Sequence, residues 1–209
     1  YALTTNIVGA QNVAIGYEAL FNNIANNTTA VGHDCLKANT SGASNVGLGY
    51  QALLANTTGT LNTAVGFASL DANTTGSSNT AFGRNSLGGN TTAGNNTAVG
   101  HNSLIANTTG AFNTAVGGSS LDATTTGSSN TAVGYDALGV NTEGSNNTAI
   151  GIASGHTVTT GGNNLLLGHD AGLTGSPGGA VTTGNNQICL GDENITNAHI
   201  QVDWTVASD

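Results

Sequence analysis

Apolar and polar positions along the chain follow a single pattern that returns with a fixed step. Its clearest form is the pentapeptide NTAVG at residues 96–100, and the glycine that closes it serves as an anchor. The anchors are Gly16, Gly32, Gly49, Gly66, Gly83, Gly100, Gly117, Gly134, Gly151 and Gly168; the first interval is 16 residues and the next eight are 17. The following anchor, Gly191, comes after 23 residues. A period held this strictly marks a solenoid in which each repeat is one coil. The pentapeptide is short, alternating and β-branched, which predicts a strand. NTTG, as at 107–110, holds residues that tolerate tight or left-handed backbone, which predicts a turn. Helix is disfavoured throughout.

Aligned on the anchors, the repeats resolve into columns. The residue before the anchor is Ile15, Val31, Leu48, Val65, Phe82, Val99, Val116, Val133, Ile150 and Leu167, and this valine column is expected to be the core. A second apolar column, four residues after the anchor, runs from Leu20 through Leu36, Leu53, Leu70, Leu87, Leu104 and Leu121 to Leu138 and ends where Gly155 replaces leucine. The column two before the anchor is alanine apart from Gly47, Leu166 and Cys189. Alternation along a strand places it opposite the valine column, as a small-residue face against which another surface packs. Stacked coils bring equivalent strands into parallel pairs about 4.8 Å apart, so ten coils make a rod about 45 to 50 Å long. The asparagines four before the anchor, Asn45, Asn62, Asn79, Asn96, Asn113, Asn130 and Asn147, are expected to form an amide ladder between coils.

The expected fold is therefore all-β, a parallel β-solenoid or β-roll with 17-residue coils. Residues 1–11 form a lead-in, 12–168 a roll of about ten coils, 169–191 an irregular final coil with an insertion, and 192–209 an extended C-terminal strand. In that strand Ile200, Val202, Trp204 and Val206 alternate with Gln201, Asp203 and Thr205. Two large apolar side chains per coil are few for ordering seventeen residues, so self-association is expected to supply the missing burial, as a homotrimer.

Composition narrows the function classes. The 209 residues include 32 glycines and only 6% charged residues, without the Pro, Lys and Glu enrichment of disordered chains. The net charge is −9, with Lys37 and Arg84 as the cations that do not depend on pH near neutrality. That leaves no means of neutralising a row of phosphates, so nucleic acid is excluded as a partner. Binding to an anionic membrane fails for the same reason, and no apolar run is long enough for membrane insertion. A start at Tyr1 rather than Met points to a fragment or a processed product. Nine coil steps separate the anchors of Cys35 and Cys189, roughly 40 Å at parallel-strand spacing. The two thiols are expected to stay reduced and unpaired with each other.

The repeat NTAVGHNSL resembles the SVAIGxxS-type repeat of YadA-like trimeric autotransporter adhesin heads. That resemblance implies a left-handed parallel β-roll with three chains side by side. Coils of that family are usually shorter, and the three extra residues here fall in the NTTG turn. The NTAVGxxAL…NTTG form, over about residues 12–168, is similar to repeats of phage tail-fibre and other virion-fibre proteins. The C-terminal ITNAHIQVDWTVASD resembles the strand leading to a Ser-Asp junction in tail fibres that carry a self-cleaving intramolecular chaperone of the endosialidase type. The resemblance implies that the chaperone and its catalytic lysine lie downstream of Asp209, so that this chain is the mature part. The function so implied is a structural and host-adhesion segment of a trimeric virion fibre, located in the virion. The alternatives are the head of a bacterial autotransporter adhesin at the cell surface and an ice-binding β-solenoid.

Candidate site residues lie in the column after the anchor, which holds Tyr17, His33, Tyr50, Phe67, Arg84, His101, Gly118, Tyr135, Ile152 and His169. If they point outward, Tyr17, His33, Tyr50, Phe67, His101 and Tyr135 offer rings to the sugars of a host glycan or to a protein receptor; if inward, they fill a trimer seam. His33, His101 and His169 recur every fourth coil, but their column mates are Tyr, Phe and Arg, so no metal and no other cofactor is expected. Enzymatic activity is not expected either, since the acids are dispersed: of Glu18, Asp34 and Asp136 in one column only Glu18 and Asp34 are near one another, and Asp192-Glu193 is expected to shape the exit turn. The calcium-binding nonapeptide GGxGxDxUx is absent. Thr108 and Thr109 are adjacent and followed by Gly110, so they point to opposite sides or sit in a turn, which argues against the flat Thr-X-Thr face of an ice-binding solenoid.

Overall fold

The structure is a computed structural model that describes residues 1–176 and 178–196. The alternating segment at 200–206 and the Ser208-Asp209 junction lie outside the described residues. Eleven three-residue strands form one parallel sheet in sequence order. They are β1 (Val13–Ile15), β2 (Thr29–Val31), β3 (Val46–Leu48), β4 (Thr63–Val65), β5 (Thr80–Phe82), β6 (Thr97–Val99), β7 (Thr114–Val116), β8 (Thr131–Val133), β9 (Thr148–Ile150), β10 (Leu165–Leu167) and β11 (Ile188–Leu190). Each strand pairs with the next in the register of the repeat, Thr97 with Thr114, Ala98 with Ala115 and Val99 with Val116. Nine coils of nearly constant length thus run from β1 to β10, and the 23-residue step carries the chain to β11 with the register kept, Leu166 beside Cys189. The coil geometry also reaches back before β1, where the Leu3 amide donates to the Ala19 carbonyl.

The wall opposite the sheet is a run of tight turns. In the coil after Gly100, Ser103 N–H donates to Gly100 O, Ile105 N–H to Asn102 O and Asn107 N–H to Leu104 O. Asn102 and Leu104 take left-handed backbone, φ 57° and 53°. A left-handed conformation costs an L-residue about 1 to 2 kcal/mol, which burial of a whole leucine offsets. The leucine column from Leu20 to Leu138 is fully buried.

The sheet faces the other way from the sequence expectation. The alanine column, not the valine column, points inward: Ala30, Ala64, Ala81, Ala98, Ala115, Ala132 and Ala149 are buried, whereas Ile15 is 60% and Phe82 55% exposed. The reason is the thickness of the coil. A Cβ placed on Gly47, in the alanine column, would lie 2.5 Å from Cys35 Sγ and 3.2 Å from Leu36 Cδ1. Leucines and small residues of the turn wall already fill the interior, and a methyl group is what remains to be accommodated.

The exceptions to the columns compensate one another. Leu166 stands in the alanine column and is buried, and the two flanking positions of the leucine column are Gly155 and Gly172. A Cβ on Gly172 would sit 2.3 Å from Leu166 Cδ2, and one on Gly155 3.2 Å from Leu166 Cδ1. The bulk has moved from the turn wall to the sheet wall at this level of the roll.

Two asparagine columns join the coils. In the expected one, Asn45 Oδ1 accepts the Asn62 backbone N–H at 2.9 Å and Asn62 Nδ2 donates to the Gly76 carbonyl of the next coil at 2.8 Å. The direct amide-to-amide ladder is chiefly in a second column. There Asn39 Nδ2 donates to Asn23 Oδ1, Asn56 to Asn39, Asn73 to Asn56, Asn90 to Asn73 and Asn107 to Asn90, at 2.6 to 3.0 Å. Thr124 interrupts it, because its hydroxyl donates to the Asn141 carbonyl and does not reach back. The buried Asn107 Oδ1 is left without a hydrogen-bond partner. Thr124→Asn is expected to restore the ladder and raise stability by about 1 kcal/mol, measured as a higher urea midpoint at unchanged slope. An equal or lower midpoint would contradict the ladder's energetic role.

Candidate functional site

Each anchor glycine turns the chain at the end of its strand, and the residue that follows projects outward along one rim of the sheet. Tyr17, His33, Tyr50, Phe67, His101 and Tyr135 are all exposed there. The first four meet as a continuous rail. Tyr17 and His33 ring centroids are 4.9 Å apart, His33 and Tyr50 5.5 Å, and Tyr50 and Phe67 5.1 Å, with interplanar angles of 30°, 30° and 16°. Arg84 closes the rail with its guanidinium 5.8 Å from the Phe67 centroid. The rings therefore lie against one another, and their faces are largely taken up by mutual stacking. Along this stretch the rail offers edges, the Tyr17 and Tyr50 hydroxyls and a cation. His101 and Tyr135 stand apart from it, two coils from each other on either side of Gly118.

The charged groups gather beside the rail. Lys37 contacts Glu18 and, at 3.3 Å, Asp34, so one ammonium bridges carboxylates of adjacent coils. Lys37 holds the Glu18 carboxyl below its usual range, and the Glu18 carboxylate in turn raises the Lys37 ammonium and the Tyr17 phenol. A second cluster was not apparent from the sequence. Asp136 Oδ2 lies 3.1 Å from His156 Nδ1, and Asp122, one coil away, has its carboxyl raised by burial and by the charge of Asp136. Asp122 and His156 stand in one column two coils apart and Asp136 in another, in the coil between them, so the stacking of coils brings their charges together.

Of the histidines considered as metal ligands, His33 contacts Asp34 at 3.2 Å and His169 contacts Asp170 at 3.3 Å and Asp192 at 3.6 Å. Among the described residues no group of three or more His, Cys, Asp or Glu converges in a way that could hold a metal ion. Cys35 and Cys189 are free and buried, and burial pushes the Cys35 thiol up to about 12. Comparison of the chain with protein families, with curated proteins and with solved structures gives no match.

Proposed function

We propose that this chain is the structural and host-adhesion segment of a homotrimeric virion fibre of the phage tail-fibre kind, acting by binding and not by catalysis. The observation that carries the proposal is the outer face of the sheet. Apart from Tyr1, Ile7, Val8, Ile24 and Ile195, every large apolar side chain exposed among the described residues lies in the outward strand columns or in the two columns that border them. Val13, Ile15, Val46, Leu48, Phe82, Val116, Ile150, Ile188 and Leu190 run the length of the roll. Such a strip amounts to several hundred Å², roughly the scale at which an apolar patch marks an interaction site. Because the interior holds little beyond leucine and alanine, a face of this kind suits burial against two further copies around a threefold axis, with the rail at the seam's margin. The similarity of the repeats and of the C-terminal sequence to virion fibres supports the same assignment.

Light scattering of the purified chain is expected to give three times the chain mass. Leu48→Lys with Val116→Lys, two positions exposed on a lone chain, is expected to dissociate it while the β-rich circular dichroism persists. A monodisperse, folded wild-type monomer would overturn the trimer.

A second reading rests on the same face. Thr63, Thr80, Thr97, Thr114, Thr131 and Thr148 pair in register as one outward row. Regularly spaced threonines beside methyl groups suit an ice-binding surface. Thermal hysteresis of the purified protein would favour that reading, and its absence with a trimer present would exclude it.

A further inference from the structure

From Tyr17 to His169 the rim column carries a side chain in every coil except at Gly118. Backbone geometry does not require glycine there. Gly118 lies outside the left-handed region, and a Cβ built on it meets Tyr135 Cδ2 at 3.5 Å, Tyr135 Cε2 at 3.8 Å and the His101 carbonyl oxygen at 3.9 Å, all ordinary contacts. The anchor one residue before it is different: a Cβ on Gly117 would lie 2.3 Å from the Gly134 carbonyl oxygen. What glycine at 118 does is leave room between His101 and Tyr135, on a rim that elsewhere stacks ring on ring.

The dimensions of that room select its occupant. Column positions two coils apart are separated by about 9.6 Å. A ring in contact with an aromatic face on each side needs about 7 to 8 Å. Tyr135 tips toward Gly118, as its 3.5 Å approach requires, and takes up part of the difference. A flat aromatic guest would leave a gap, whereas a puckered six-membered ring is thicker. Polar residues follow each wall and the floor in sequence, Asn102 after His101, Ser119 after Gly118 and Asp136 after Tyr135, and none of these three is fully buried.

We propose that Gly118 opens a subsite for one pyranose residue of a surface glycan, its C–H faces against the His101 and Tyr135 rings and its hydroxyls toward Asn102, Ser119 and Asp136. The glycan as receptor rests on the adhesion reading above; the subsite itself rests on the geometry. Tyr17, His33, Tyr50 and Phe67 do not provide such a place, because their faces are occupied by one another.

The test is NMR of the His101 and Tyr135 ring signals during titration with methyl β-glucopyranoside, methyl β-galactopyranoside and methyl 2-acetamido-2-deoxy-β-glucopyranoside, with phenol as the flat control. At least one pyranoside is expected to shift both sets of signals with millimolar affinity. Gly118→Tyr places in the column a side chain that it already holds at Tyr17, Tyr50 and Tyr135, so the fold is kept and the rail extended. It is expected to weaken sugar binding at least tenfold at an unchanged unfolding midpoint. Three pyranosides without effect on the rings, unchanged binding by Gly118→Tyr, or tighter binding of phenol than of any sugar would each overturn the subsite. The fibre reading fails separately, on a monomer in light scattering.

Discussion

Gly100→Ala is expected to break the roll in two. The anchor adopts φ 137°, a region that is essentially closed to side chains, and a Cβ there would lie 2.4 Å from the carbonyl oxygen of Gly117 in the next coil. Both groups are backbone, so neither can rotate away, and relief requires the coils to separate where Gly100 N–H donates to Phe82 O and Gly117 N–H to Val99 O. The expected cost is about 3 kcal/mol or more. Since each coil contacts only its neighbours, the stack should melt as two blocks rather than one. Urea unfolding followed by circular dichroism reads this as a lower midpoint with a split or broadened transition. Gly118→Ala, a change of the same size at ordinary backbone and ordinary contacts, is expected to stay within about 0.5 kcal/mol of wild type. Equal stabilities for the two variants would show that close packing between coils does not explain the anchor.

Leu166 and Gly155 should behave as one packing unit. Leu166→Ala alone empties the interior where Gly155 and Gly172 offer no bulk, and is expected to cost about 3 kcal/mol. Gly155→Leu alone introduces a side chain whose Cβ would start 2.9 Å from Leu138 Cδ2 and 3.2 Å from Leu166 Cδ1, a clash worth about 1 to 3 kcal/mol. Backbone conformation is not the obstacle, because Gly155 has φ 66° and the buried leucines of its column have φ 51° to 55°. The double variant recreates the arrangement of the other coils, leucine on the turn wall and alanine on the sheet. It is therefore expected to recover about 2 kcal/mol relative to the sum of the single changes. Strict additivity of the two changes would mean that the exchange of large and small residues is coincidental.

The repeat period, a strand in each pentapeptide, the parallel pairing of strands one repeat apart and the glycine at each strand end were all legible in the sequence, although the strands are three residues long rather than five. Each is a local demand written once per coil: β-branched alternation, turn residues, and a backbone position that tolerates no Cβ. The buried leucine column was legible for the same reason. The direction of the strand was not. Alternation says that Ala98 and Val99 face opposite sides, but the choice of inner side depends on how far away the turn wall stands, and at Gly47 in the same column Cys35 and Leu36 of that wall already reach the site of a Cβ. Hydrophobicity alone therefore pointed the valines the wrong way and hid the apolar outer face.

The site divides along the same line. That Tyr17, His33, Tyr50 and Phe67 share a column follows from the period, and so does their spacing of about one coil rise. That their faces are spent on one another, that Arg84 closes the rail, that Lys37 bridges Glu18 and Asp34, and that Asp136 meets His156 are decided by side-chain directions across coils. Gly118 illustrates the limit best. In the sequence it is one glycine among 32, placed by the period in the column after the anchor and otherwise unremarked. Its meaning comes from an ordinary backbone, an unobstructed Cβ position and two rings on either side, because a period fixes which residues are stacked while packing in three dimensions fixes what lies between them.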